Sequence, residues 1–122
     1  MKIEVSNGEI VDKFTILKIK LEKIIDNEKL KYVQKEHAYL AKQVQQIGVR
    51  EEYIQKLYAI NLILWGIEDS IRLKEQKSEF DESFIQLARR VYITNDKRAA
   101  IKKEINIATQ SEFREVKQLP NV

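Results

Sequence analysis

Apolar residues recur along this chain at alternating three- and four-residue intervals, a spacing that predicts helices almost throughout. Residues 8–26 turn Ile10, Phe14, Leu17, Leu21, Ile24 and Ile25 toward a core, while Ile16 and Ile19 fall on the opposite side. A helix with two apolar sides is either central in a bundle or part of a subunit interface. Residues 27–47 carry the stripe Leu30, Val33, His37, Leu40, Val44 and Ile47, and Gly48 stands where a helix C-terminus favours glycine. Residues 50–76 answer with Tyr53, Leu57, Ile60, Leu64, Ile67 and Ile71. Two such stripes joined by a short turn predict an antiparallel hairpin with coiled-coil packing.

The fourth stretch changes character partway along. From residue 81 to 107 an inward face begins with Phe84, Leu87, Ala88 and Val91, and helical spacing continues it as Asn95, Arg98, Lys102 and Asn106. Amides and cations on a core face are costly unless they are paired or open to a water-filled pocket. A bend is expected near Thr94-Asn95-Asp96, since all three can cap a helix. The third helix has a matching row, Asn61, Trp65, Glu68 and Arg72, along the edge of its apolar stripe. The two rows are expected to face each other, with Glu68 against Arg98. Either they form a salt-bridge network that fixes helix register, or they line a pocket. In a pocket, one Glu against Arg72, Arg98 and Lys102 leaves a phosphate or carboxylate as the natural missing partner.

Cap signals agree with these helices. Ser6 and Glu9 have capping-box spacing, and Asp81 precedes the fourth helix with Phe80 and Ile85 at hydrophobic-staple positions. Ile3 and Val5 alternate with Lys2 and Glu4, as in a short extended lead-in. The expected architecture is therefore an all-α antiparallel four-helix bundle (about 8–26, 27–47, 50–76 and 81–107) with short extended N- and C-terminal segments. Residues 1–110 form one domain. Residues 111–122 read as a tail, in which Phe113 and Val116 are candidates to pack back.

Composition sharpens this picture only in places. Three Gly and one Pro are too few for a many-turned β fold, and the lack of Cys excludes disulfides, thiolate metal sites and Cys nucleophiles. No signal-type or membrane-spanning apolar run is visible, so a cytoplasmic protein without a membrane partner is expected. The net charge of +3 is too small and too interspersed for a nucleic-acid binder. One local excess exists: residues 89–103 hold six cations against the single anion Asp96.

Catalytic chemistry finds little support. His37 is the only histidine and sits on a core stripe, where a packed imidazole is the commoner role than acid–base work. The acidic pairs Glu9/Asp12 and Glu68/Asp69 could suggest a magnesium-dependent nucleotide pyrophosphohydrolase. However, Asp12 and Asp69 point away from their helices' main apolar faces, which predicts solvated carboxylates and no metal site. Ser6, Thr15 and Ser70 have no histidine arranged to activate them. No catalytic residue and no cofactor is predicted.

The segments KIEVSNGEIVDKFTILKIKLEKI, INLILWGIED followed by Arg72, and ARRVYITNDKRAAIKKEIN resemble a family of small bacterial proteins of unknown function. The resemblance spans nearly the whole chain. It implies an α-helical cytoplasmic protein, often encoded near surface-polysaccharide or glycosyltransferase genes, and it carries over no activity and no catalytic residue. The run from Asn61 to Arg72 also resembles a segment of other uncharacterised helical proteins. The favoured expectation is a self-associating interaction module, a dimer first, accessory to surface-polysaccharide biosynthesis and with an internal polar layer. The alternative is a small enzyme or sensor holding an anionic metabolite, such as a nucleotide sugar or sugar phosphate, among Asn61, Trp65, Glu68, Arg72, Asn95, Arg98, Lys102, Asn106 and His37.

Overall fold

The computed structural model describes residues 4–111. Four helices fill this span: α1 (Asn7–Lys23), α2 (Asn27–Ile47), α3 (Glu51–Gln76) and α4 (Glu82–Ala108). No strand occurs among the described residues, and the chain is an all-α bundle. Residues 1–3 of the expected lead-in and 112–122 of the expected tail, Phe113 and Val116 included, lie outside the described residues.

Caps explain the boundaries. Ser6 accepts the amide of Glu9 at 3.2 Å to start α1. The helix ends at Lys23, three residues before the expected end, because Asp26 must be extended to cap α2. Its carboxylate accepts the amides of Glu28 (2.9 Å) and Lys29 (3.1 Å). Ile25 therefore lies in the connection, 93% exposed rather than in the core. Gly48 closes α2 in the left-handed conformation (φ 71°) that a Cβ would disfavour. Asp81 accepts the Phe84 amide at 2.9 Å to start α4. No bend interrupts α4 at Thr94–Asp96; the helix runs unbroken to Ala108, and Thr94 is buried in it.

Helix α1 is the centre of the bundle and packs against all three others. Its Phe14 ring stacks on His37 of α2 (centroids 4.7 Å apart), and Lys13 pairs with Glu36 at 3.0 Å. On its other side Gly8, Asp12, Thr15 and Ile19 form a buried row at helical spacing. Ile19 is 1% exposed, so the second apolar side serves the interior and is not a surface patch. Helix α2 packs on α1 alone. The expected coiled-coil hairpin of α2 with α3 does not form, because α1 offers an apolar side to each and takes the place between them.

Helices α3 and α4 pair along their length, from Lys56–Glu104 (4.0 Å) to Lys74–Asp81 (3.1 Å), and are therefore antiparallel. At 26 and 27 residues they reach about 40 Å, against about 25 Å for the 17 residues of α1. All buried residues of α4 lie between Thr94 and Asn106. The far end of the α3/α4 hairpin thus extends past the core formed by Val11, Val44, Leu57 and Ile105.

Candidate functional site

The polar layer forms where α1 crosses the root of the α3/α4 hairpin. Asp12, 1% exposed, is its hub. Arg98 of α4 grips both of its oxygens, Nε to Oδ1 at 2.8 Å and Nη2 to Oδ2 at 2.5 Å. This bidentate fork is the strongest geometry available to a carboxylate. From α3, Asn61 donates through Nδ2 to Asp12 Oδ1 and to Thr15 Oγ1, both at 2.9 Å. Thr15 in turn donates to the Asp12 carbonyl at 2.7 Å. Asn95 accepts from Arg98 Nη1 at 3.3 Å.

One turn toward the start of α1, Lys102 Nζ meets Glu9 Oε2 at 2.6 Å, and the Lys102 side chain is almost fully buried. The Glu9 carboxylate, expected to complete a capping box, is taken by this cation. Next, Asn106 accepts the Gly8 amide at 2.7 Å, which satisfies a donor that the first helical turn leaves open. Gly8 is required there. A Cβ on it would stand 2.5 Å from the Lys102 carbonyl oxygen. Asn7 completes the seam, with its side chain donating to Thr109 (2.9 Å) and its amide to Ser111 (3.0 Å).

The residues expected to share a site therefore separate. Asn61, Asn95, Arg98, Lys102 and Asn106 gather at the α1 crossing. Glu68 and Arg72 are exposed further along the hairpin, and Trp65 is half-buried between the two groups. Glu68 does not face Arg98, whose partner is Asp12. The nearest carboxylate to Arg72 is Asp69 on its own helix, at 3.9 Å and solvent-exposed. His37 lies on the far side of α1; burial and then the neighbouring Lys18 charge lower its pKa below the usual imidazole value. This suits a neutral ring stacked on Phe14.

Asp12 departs furthest from the sequence expectation: among the described residues it is the most deeply buried carboxylate, not a solvated one. The signal for it was the spacing of Gly8, Asp12, Thr15 and Ile19, a row of one small, two polar and one apolar residue. Such a row looks like surface until another helix is known to lie on it. Among the described residues no group of acids, histidines or cysteines is arranged to hold a metal ion. No helix there is long and apolar enough to cross a membrane.

A family model for a family of unknown function, DUF6165, matches residues 1–120, from the lead-in through the seam residues to the tail. The chain belongs to that family. No curated protein and no solved structure matches it. Family membership thus covers the whole crossing of α1 over α3 and α4, and assigns it no chemistry.

Proposed function

We propose that this protein is a binding and interaction module that self-associates, with a dimer favoured, and that its polar layer is architectural. One observation carries the architectural reading of the layer: the two cations that do gather at the α1 crossing each meet a carboxylate of the chain itself, Arg98 with Asp12 and Lys102 with Glu9, while Arg72 stands outside the layer. A pocket built for a phosphate would hold an excess of donors. Every buried polar side-chain atom among the described residues has a hydrogen-bond partner, so none stands ready for a ligand. Buried ion pairs of this kind fix helix register.

A role beside surface-polysaccharide assembly in the cytoplasm, implied by the family resemblance, suits a protein that acts by holding partners together. Thermal melts with inorganic phosphate and with a nucleotide sugar test the reading. The expected result is no ligand-dependent change in Tm. A Tm that climbs with ligand concentration, and loses that climb in Arg98→Ala, would replace it with the anion-binding alternative.

A further inference from the structure

Among the described residues, no other helix packs on the outer face of α2. The helix rests on α1 alone, through the side that carries Val33, His37 and Val44. Helical spacing puts Lys31, Lys35 and Lys42 on the opposite side, interleaved with Tyr32 and Tyr39. All five are exposed, Tyr32 to 77%. At the N-terminal end of this helix stands Ile25, 93% exposed in the connection from α1, with Lys23 before it and Lys29 after it. None of these five lysines meets a carboxylate among the described residues. Residues 18–42 hold seven lysines and four carboxylates, an excess equal to the +3 of the whole chain. Three of those carboxylates are engaged: Glu22 accepts from Tyr58, Asp26 caps α2 and Glu36 pairs with Lys13.

We infer that this face rests on the surface of an anionic lipid bilayer, with Ile25 entering the boundary of the acyl chains. Charge and shape select that occupant. Lysines without carboxylates of their own match anionic headgroups, and tyrosines suit the headgroup level. A bare aliphatic side chain at the corner gains by entering the hydrocarbon below. A single helix at the edge of a bundle is a ridge, which a flat bilayer accepts, whereas a docked helical peptide needs a groove. An oligonucleotide would use the lysines and tyrosines but offers Ile25 no apolar depth. The expectation of no membrane partner rested on the lack of a spanning segment, and contact at a surface requires none. The inference goes beyond the interaction-module reading and does not depend on the dimer.

Cosedimentation of the full chain with large vesicles tests it. Vesicles of about one-third phosphatidylserine in phosphatidylcholine should bind the protein, and about 0.5 M salt should release it. Pure phosphatidylcholine vesicles should not bind it. Lys31→Ala/Lys35→Ala/Lys42→Ala should weaken binding about tenfold or more, and Ile25→Asp by a similar factor. Arg89→Ala/Lys97→Ala/Lys103→Ala removes the same charge from exposed positions of α4 and should leave binding nearly unchanged. Circular dichroism checks that each variant is folded. Equal losses from the two triple variants would reduce the effect to net charge and overturn the α2 face. Failure to bind the anionic vesicles overturns the bilayer, and binding to a single-stranded oligonucleotide in that case assigns the face to nucleic acid. Self-association, read by light scattering without lipid, stands or falls apart from each of these outcomes.

Discussion

Asp12 has two carboxylate oxygens, and the fold uses both: Oδ1 accepts from Arg98 and Asn61, Oδ2 from Arg98 again. The Arg98 side chain remains 26% exposed while Asp12 is at 1%, so the two members of the pair would fare differently alone. Asp12→Ala strands a cation that can swing toward water, and about 3 kcal/mol of stability should be lost. Arg98→Ala strands an anion that cannot, and it should cost at least as much. Urea unfolding of the two variants checks the order. An Arg98→Ala protein as stable as the wild type would mean that the pair is not what holds α1 to the hairpin. Glu68→Ala, in contrast, removes an exposed side chain and should stay within about 0.5 kcal/mol of wild type.

At the scale of elements, the α1/α4 crossing depends on a residue without a side chain. Gly8 lets the start of α1 lie against the backbone of Lys102, and Asn106 then reaches the Gly8 amide. Gly8→Ala puts a methyl group where backbone already is, and backbone cannot rotate away as a side-chain end does. The expected cost is about 2 kcal/mol despite the better helix propensity of alanine. Thermal unfolding measures it, and an unchanged or higher Tm would show that the crossing has slack. The four helices, the Ser6 and Asp81 caps and the Gly48 terminus were legible in the sequence because each depends on neighbours within one or two turns; the end of α1, where Asp26 caps α2 instead, and the role of Glu9 were not. Nor was the partner of each apolar stripe. Periodicity shows that Leu30 to Ile47 needs an apolar partner, but α1 and α3 both offer one. The choice between them depends on α1 having two apolar sides, Phe14 toward α2 and Ile19 toward the hairpin. For the same reason Asn95, Arg98, Lys102 and Asn106 could be located on an inner face while their carboxylates could not. Asp12 and Glu9 lie some 90 residues away, and no local spacing links them.

On the scale of the whole molecule, stability should be graded. Helix α2 packs along α1 alone and buries only Val33 and Val44, whereas α1 packs against all three other helices. Its amides should therefore exchange with deuterium well before those of α1 and of residues 94–106, through local opening rather than global unfolding. Equal protection in α1 and α2 would argue against this picture. The central position of α1 also sets the order in which the molecule can be completed. During synthesis α1 meets α2 soon after it emerges and Asn61 about 50 residues later, but the ionic partners of its polar row, Arg98 and Lys102, follow only some 90 residues on. Until then the Asp12 carboxylate has no cation to hold it inside, and the nascent chain is an incomplete layer with apolar surface on one side. The contacts that close the bundle are long-range and join its two ends at Asn7, Thr109 and Ser111, so they carry the largest loop-closure cost of the fold. Chains cut short before Arg98 would lack the partner that makes Asp12 tolerable inside, so the bundle itself discriminates between finished and unfinished copies.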